Sequence, residues 1–339
     1  MLKDLSKKLL YVSGLLGLYH RFRNADSLTV VMFHRTLKPE DPRWHSCDPD
    51  YTLATGWLAE SLAFFKHHYN VVSLAQVLAS RRSGTALPPR ALLITFDDGW
   101  ADNADYALPE LKRAGLPALM FVVADAVGTT QPFFQERLIA AWRRNTLRVA
   151  DLAAALQPHL TTAWAPVDES IGSLREAITL LEQLPATQRE TVLAPFMAAF
   201  DDGLRHMVDI SELQQLEAGG VALGLHGKTH TPMTLAPDLD AELTGARTAL
   251  GNLLGRAPSA ESMSFPHGAF TPAIARQAHD AGYELIFTSV PVLNPVAPQV
   301  GWLLGRTGFE TDSVVDRRGR FRPDWLALYL FRREARRLA

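Results

Sequence analysis

The sequence predicts an α/β fold, a deformed (β/α) barrel of about seven parallel strands with a helical insertion. Two observations lead to this prediction. Short apolar segments of strand type alternate with helical segments along most of the chain, and chains of this kind form parallel sheets. Polar residues of catalytic type follow several of these segments, as they do at the active face of a barrel, where the strands end.

The predicted strands are short apolar runs bounded by turn-forming residues, and they cover 28–33, 69–72, 92–96, 117–123, 221–225, 261–265 and 285–289. The predicted helices between them cover 57–67, 74–78, 106–114, 239–254 and 272–281. From about residue 132 to about residue 210 the chain instead carries helical runs rich in Leu, Ala and Arg, such as 133–145 and 173–184. This stretch is the predicted insertion.

Length and composition fit one large domain, because the 339 residues are 47% hydrophobic and 21% charged. We expect a barrel over residues 28–310, preceded by an amphipathic segment at 1–27 and followed by a basic tail or helix at 311–339. With 34 basic against 36 acidic residues, the charge balance gives no field that would recruit nucleic acid. Cys47 is the only cysteine, which excludes an internal disulfide and is compatible with a reducing compartment.

Two adjacent carboxylates end the apolar run at residues 92–96. Side chains alternate across a regular strand, so Asp97 and Asp98 can serve one site only if the strand stops and the chain bends, which Gly99 permits. Two carboxylates this close together raise each other's pKa unless a cation or an arginine accompanies them. The doublet therefore indicates a metal site, with an ordinary Asp-Asp-Gly turn as the alternative.

A second apolar run, at residues 221–225, leads into His226 and, four residues later, His230. At this spacing two imidazoles can face one ion across a single turn, although two ordinary loop histidines have the same spacing. One carboxylate and two imidazoles make a three-ligand site with room for water. Catalytic zinc sites have this ligand count, and the same set also suits iron or cobalt.

The stretches Thr95–Gly99 and His226–His230 resemble the first two motifs of the polysaccharide deacetylases, carbohydrate esterase family 4, also called the NodB-homology domain. The order and separation of the two motifs fit that family. The resemblance implies that Asp97 is the general base and that Asp98, His226 and His230 hold a divalent metal. Zinc is the expected ion, with cobalt, nickel or iron as alternatives.

The family's third motif, Arg-x-Pro-Tyr, matches the stretch Ser264–Gly268 only in part. In the family the backbone N–H of the tyrosine position helps to hold the oxyanion, so the resemblance gives that role to His267. The arginine position holds Ser264, which leaves Asp97 without the cation that orients the base in the family. Arg306 could substitute for it, and an ordinary surface arginine is the alternative.

The family's general acid is usually a histidine in a Leu-x-x-His motif near the carboxyl end, but the last histidine here is His279. His34 instead ends the first predicted strand, in a stretch that resembles the Tyr-His-Arg opening of a circularly permuted subgroup. The resemblance implies that His34 is the acid; the alternative is a histidine that caps a strand and bonds to a nearby carbonyl. Asp102 and Asp105 are predicted to be solvated residues at the start of the next helix.

The resemblance implies a metal-dependent hydrolase of carbohydrate metabolism, one that acts on a linear, non-peptide amide. Its expected reaction removes acetyl groups from N-acetylhexosamine units of a glycan, such as an exopolysaccharide, or of a glycan precursor. An O-acetyl esterase, or another amide hydrolase, could use the same site. A catalytically decayed glycan-binding barrel and a membrane scaffold are further alternatives, although a binding module has no need of a complete metal-ligand set.

Both ends of the chain combine basic and apolar residues. Three lysines precede the apolar stretch at 9–18, which is too short to span a bilayer and is not followed by a small-residue cleavage site. Arginines likewise surround the apolar stretch at 325–331. These segments either contact acidic lipid headgroups or pack on the barrel. We expect a cytoplasmic protein, peripheral on the inner membrane in the first case, that acts on an N-acetylated polysaccharide or a lipid-linked oligosaccharide.

Overall fold

The computed structural model describes residues 2–256, 261–308 and 314–339. In chain order the strands are β1 (Ser27–Phe33), β2 (Arg35–Leu37), β3 (Thr52–Ala54), β4 (Asn70–Val71), β5 (Ala91–Phe96), β6 (Ala118–Val122), β7 (Val221–Leu225), β8 (Ser262–Ser264), β9 (Leu285–Phe287), β10 (Asn294–Pro295), β11 (Leu303–Leu304) and β12 (Thr307–Gly308).

The main sheet runs in the order β1-β5-β6-β7-β8-β9-β11, and neighbouring strands in this series are parallel. The sheet is nearly closed into a barrel, because β11 pairs with β9 while β12, three residues further along the chain, pairs with β1. β10 adds an antiparallel contact to β1, and β4 a parallel contact to β5. The predicted α/β barrel of mostly parallel strands is therefore confirmed.

The burial of β5 shows why such runs are apolar throughout. All its residues are buried, as expected for a strand of a parallel sheet with both faces covered. Leu92, Ile94 and Phe96 pack in a cluster with helix residues, whereas Ala91 and Leu93 pack in a second cluster that includes side chains of other strands. Because both faces are filled with apolar groups, polar side chains collect beyond the strand ends.

The helices around the sheet are Leu2–Val12, Leu15–Arg23, Thr55–His68, Leu74–Ser83, Leu108–Ala114, Ile210–Ala218, Ala246–Leu253, Pro272–Asp280 and Pro323–Phe331. Two of them begin with a π-helical turn, at Asn103–Ala107 and at Ala241–Gly245. Ser73 forms a capping box with Gln76, which explains why a helix begins at residue 74. None of the helices in the described residues is both long and apolar enough to cross a membrane.

The chain divides into two compact units. The first comprises Met1–Lys38, Asp50–Gly128 and Val208–Ala339 and contains the main sheet. The second comprises Pro39–Pro49 and Thr129–Met207. Its helices are Phe134–Arg143, Val149–Leu156, Ile171–Gln183, Ala186–Leu193 and Met197–Phe200. The predicted boundary between residues 310 and 311 lies outside the described residues.

The second unit has a core of its own, formed by leucines on different helices such as Leu138, Leu152 and Leu181. Its two chain segments are joined by an ion pair in which Arg175 Nη2 lies 2.9 Å from both carboxylate oxygens of the buried Asp48. The segment 39–49 has no helical pattern in its sequence, so sequence analysis did not associate it with the insertion.

Candidate active site

Asp97 and Asp98 leave the end of β5 through a sharp bend. The Asp97 N–H still donates to the carbonyl of Phe33 on β1, at 2.9 Å, and so continues the strand pairing. Asp98 (φ 77°) and Gly99 (φ 84°) then adopt left-handed backbone conformations. This is the bend that allows adjacent carboxylates to serve one site. Nε1 of Trp100 donates to Oδ2 of Asp98 at 2.9 Å and holds that carboxylate in place.

His226 and His230 are presented by the loop that follows β7. His226 directly follows the strand, whereas His230 adopts a left-handed conformation (φ 64°) within the loop. The buried carboxylate of Glu242 holds this loop, because its Oε2 accepts hydrogen bonds from the backbone N–H groups of Lys228 (2.7 Å) and Thr229 (3.1 Å). Sequence analysis missed Glu242, since it stands inside a predicted helix with no local motif around it.

Asp98, His226 and His230 each offer one ligand atom, and the three atoms lie within 4.8 Å of one another. Oδ1 of Asp98 is 3.4 Å from Nε2 of His226 and 3.3 Å from Nε2 of His230. This buried oxygen has no hydrogen-bond partner among residues 2–256, 261–308 and 314–339, as expected for an atom reserved for a cation. A cluster of one carboxylate and two imidazoles fits a divalent metal with mixed oxygen and nitrogen ligands.

The protonation states of the cluster also fit a metal site. Burial raises the pKa of Asp98, but the His230 imidazole and the other nearby histidines outweigh burial, and the net pKa is lowered. Burial lowers the pKa of His226 to about 4, against the opposing charges of Asp97 and Asp98. At neutral pH the cluster therefore offers an ionised carboxylate and a neutral His226 imidazole, the forms that bind metals.

A buried arginine orients Asp97. Nη1 of Arg306 donates to Oδ1 of Asp97 at 2.6 Å, and Nη2 donates to Oδ2 at 2.8 Å. The two side chains are only 1% and 2% exposed. Burial raises the pKa of Asp97, but the charges of Arg306 and His226 lower it by more than burial raises it, so the net pKa is lowered. Arg306 thus takes the orienting position, and the alternative of a surface arginine is wrong.

Ser264, at the family's arginine position, contacts the metal-ligand cluster instead. Its Oγ lies 2.6 Å from Nδ1 of His226, and its carbonyl oxygen lies 3.1 Å from the same nitrogen. Its Oγ also lies 3.5 Å from Oδ1 of Asp97. Contacts of this kind fix the ring orientation of a ligating histidine. Ser264 therefore holds the His226 ring so that Nε2 faces Asp98.

His34 follows β1 at the same end of the sheet, because Phe33 pairs with Phe96 in the parallel ladder. Its half-buried ring packs against Tyr51, with ring centroids 4.8 Å apart, and its carbonyl accepts a hydrogen bond from Nδ2 of Asn103 at 2.9 Å. The residue borders a cavity of about 260 Å³. The structure thus brings His34 to the face that carries Asp97 and Asp98.

His267 stands in the short turn Pro266–Gly268 after β8, with a left-handed backbone (φ 55°). Its ring centroid is 4.6 Å from that of His230. The structure therefore brings all six predicted site residues to the carboxyl ends of the strands. The roles of His34 as acid and of the His267 N–H as oxyanion donor remain predictions.

Asp102 and Asp105 are both predicted to be solvated. Asp105 is exposed, but the prediction for Asp102 is wrong. Asp102 is fully buried and accepts hydrogen bonds from Nε of Arg35 (2.9 Å) and from the backbone N–H of Thr36 (2.9 Å). The Arg35 guanidinium in turn lies 4.3 Å from the centroid of the Trp100 ring. Arg35 and Asp102 are 67 positions apart in the chain. The sequence next to Asp102 therefore gives no sign of this ion pair and resembles an ordinary helix start.

Carboxylate and imidazole side chains that could hold a metal ion, placed at the strand ends of a parallel barrel, are the groups that metal-assisted hydrolysis uses. The chain belongs to the polysaccharide deacetylase family, whose model matches residues 84–286. The family assignment predicted from the motifs is therefore confirmed.

Two curated relatives match shorter parts of the chain. The poly-β-1,6-N-acetyl-D-glucosamine N-deacetylase of Escherichia coli (strain K12) is 30% identical over 93 residues, which make up 25% of this chain and 14% of that protein. The protein of the same name from Staphylococcus epidermidis is 28% identical over 127 residues, or 37% of this chain and 42% of that protein. The chain thus spans less than half the length of each of these relatives.

Solved structures match almost the whole chain. The structure of IcaB from Ammonifex degensii has a TM-score of 0.56 at 19% identity, covering 90% of this chain and 97% of that one. The deacetylase PplD of Streptococcus pyogenes, solved in complex with acetate, has a TM-score of 0.55 at 13% identity, covering 90% of this chain and 98% of that one. At these identities the likeness concerns the fold, and it agrees with the barrel described above.

Proposed function

We propose that this protein is a metal-dependent hydrolase that removes acetyl groups from N-acetylhexosamine units of a glycan or glycan precursor. One observation carries the proposal: the cluster of Asp98, His226 and His230 lies beside the carboxylate of Asp97, which Arg306 orients. The family assignment and the names of the two curated relatives support an N-acetylglucosamine polymer as the substrate class.

Oδ1 of Asp98 and the imidazoles of His226 and His230 would hold zinc or, alternatively, cobalt, nickel or iron. When bound, this ion lowers the pKa of a water molecule and polarises the acetyl carbonyl. Asp97 directly precedes Asp98 in the chain, and its Oδ2 lies 4.0 Å from Nε2 of His226, so the proposed base stands beside the candidate ligands at the ends of β5 and β7.

The remaining steps use the other residues of the site. Asp97 is ionised and held by both guanidinium nitrogens of Arg306, so it accepts the proton of the attacking water along a fixed direction. The backbone N–H of His267 donates to the oxyanion. His34 protonates the departing amine, and the products are a free amine and acetate.

We further propose that residues 28–310 form the catalytic barrel with an insertion at about 132–210, flanked by the segments 1–27 and 311–339. The proposed place of action is the cytoplasm, at the inner face of the membrane, on a polysaccharide or a lipid-linked oligosaccharide. Cys47 is the only cysteine of the sequence, so the chain has no internal disulfide, which supports a reducing compartment.

The test combines metal analysis with acetate release from N-acetylglucosamine oligomers and from O-acetylated xylan. Asp98→Ala, His226→Ala and His230→Ala should each lose metal and activity, whereas Asp97→Asn should keep the metal and lose about 10²-fold or more in turnover. Asp105→Asn, at an exposed position, is the matched control. Full metal occupancy in the three ligand variants would contradict the proposal. Release from xylan alone would favour the esterase, and glycan binding without any release would favour the decayed barrel.

A further inference from the structure

Apolar side chains are concentrated on the outside of the first two helices. Of the thirteen large hydrophobic residues that are exposed in the described part of the chain, eight fall between residues 5 and 22. These eight form the N-terminal apolar surface: Leu5, Leu9, Leu10, Val12, Leu15, Leu18, Tyr19 and Phe22. Exposed hydrophobic residues scattered singly need no explanation, but such a concentration indicates an interaction site.

The exposed residues follow the helical period. Leu15, Leu18 and Phe22 share one face of the helix Leu15–Arg23, and they are 55%, 52% and 74% exposed. On the opposite face His20 is buried and stacks on the ring of Phe331, with centroids 4.0 Å apart. A helix that served only to cover the barrel would turn its apolar stripe inward. This helix turns the stripe outward.

The position of this helix is held by the rest of the first unit. Nδ2 of Asn24, just after the helix, donates to the carbonyl of Phe331 at 2.9 Å, and a guanidinium nitrogen of Arg23 donates to the same oxygen at 3.2 Å. The helix Pro323–Phe331 itself buries its apolar residues, among them Leu326 and Leu330. Of the two basic and apolar ends of the chain, the N-terminal one therefore presents the exposed apolar face.

The charges beside this surface are almost all positive. In residues 2–23 the sequence has five basic residues and one acidic residue, Asp4, although the whole chain has 34 basic against 36 acidic residues. Lys8, Arg21 and Arg23 are exposed. An apolar stripe bordered by cations is complementary to an anionic bilayer surface. A second copy of the same surface would instead bring cations together.

We infer that the N-terminal apolar surface binds a bilayer that contains anionic lipids, with its apolar side chains in the acyl boundary and its cations among the headgroups. The two helices have 11 and 9 residues, which is too short to span the hydrocarbon core, so they lie in the plane of the interface. None of these residues belongs to the cluster of Asp97 and the candidate metal ligands.

The experiment measures sedimentation of the full chain with vesicles of phosphatidylcholine, with and without phosphatidylglycerol. We expect binding to be at least about tenfold stronger when phosphatidylglycerol is present. The triple variant Leu15→Gln/Leu18→Gln/Phe22→Gln should bind at least about tenfold more weakly. Its matched control is Val167→Gln/Met197→Gln/Leu235→Gln, at exposed positions elsewhere, which should bind as the unaltered protein does.

A charge variant keeps the inference testable if the apolar variant folds poorly. Lys8→Glu/Arg21→Glu should lose the preference for phosphatidylglycerol, whereas Lys112→Glu/Arg276→Glu, also at exposed positions, should keep it. Absence of binding by the unaltered protein would overturn the inference. So would self-association that the triple variant abolishes without any vesicle binding, because the surface would then join two copies. Acetate release from a soluble substrate should be unchanged in all four variants, which separates this test from that of the proposed function.

Discussion

Arg306 and Asp97 form a bidentate ion pair, although they are 209 positions apart in the chain. Arg306 stands between β11 and β12, the two short strands that pair with β9 and with β1. The segment that closes the sheet therefore also provides the cation that orients the proposed base. Ser264 occupies the motif position where the family places that cation, and here it contacts His226.

The first prediction concerns this ion pair. Arg306→Gln leaves the buried Asp97 carboxylate without its cation, so we expect a loss of about 3–5 kcal/mol in the free energy of unfolding. Among folded molecules, turnover should fall by about 10²-fold, because the proposed base is no longer oriented. Urea unfolding and acetate release measure the two effects. The exposed Arg276→Gln is the control, and unaltered turnover in folded Arg306→Gln would contradict the proposed role.

The second prediction concerns His34. If His34 protonates the leaving amine, His34→Ala should lower turnover of an N-acetyl substrate by about 10²-fold and turnover of an activated acetyl ester much less, because a good leaving group needs no acid. The comparison of initial rates on the two substrates measures this difference. His45→Ala, at an exposed histidine, should affect neither. An equal loss on both substrates would exclude the acid role.

The third prediction concerns the contacts behind Asp98. Arg35 is anchored by Asp102 and lies over Trp100, which donates to Asp98. Trp100→Phe removes this donor while it keeps an aromatic ring for Arg35, so metal affinity should fall by about 10- to 100-fold. Calorimetric titration of the metal-free protein measures the affinity. Arg35→Lys should act in the same direction, and an unchanged affinity in both variants would refute the coupling.

The fourth prediction concerns pH and His20. Burial, and then the charges of Arg90 and His68, lower the pKa of His20 from 6.5 to about 3 in the folded protein. Between pH 6.5 and about pH 3 the unfolded chain binds more protons at His20 than the folded chain does. The contribution of neutral His20 to stability is therefore complete above pH 6.5 and is lost as the pH falls toward 3. We expect this group to account for about 2 kcal/mol of lost stability by about pH 5.

The measurement is urea unfolding at about pH 7 and about pH 5. His20→Gln should show a smaller difference between the two conditions than the unaltered protein, because the substituted side chain does not titrate. The exposed His45→Gln should behave like the unaltered protein. An undiminished pH dependence in His20→Gln would show that other groups cause it.

The local pattern of the sequence was sufficient for much of this site. Alternating strand and helix periods located β5 and β7, and the residues just after them are those that converge in the structure. A parallel sheet brings the carboxyl ends of its strands to one edge, so residues far apart in the chain meet there without any further signal. For Asp98 and His226 the sequence motifs and the sheet topology therefore predict the same site.

The supporting contacts were not predictable in the same way. Glu242 and Asp102 stand inside or beside predicted helices, and their partners lie in other loops. A buried ion pair depends on which side chains the tertiary fold brings together, and a single sequence does not encode that pairing locally. Arg306 was recognisable only because the third motif lacked its arginine.

The pairing of β12 with β1 has a consequence for synthesis of the protein. Val31 on β1 lies opposite Thr307 on β12. β1 is synthesised early, so it can pair with β12 only after most of the chain has been synthesised. Until then a nascent chain carries Asp97 and the candidate metal ligands without Arg306, the counter-ion of Asp97. If Asp97 is the base, a chain that stops before residue 306, whether unfinished or proteolytically shortened, lacks the cation that orients it and should turn over its substrate at least about 10²-fold more slowly.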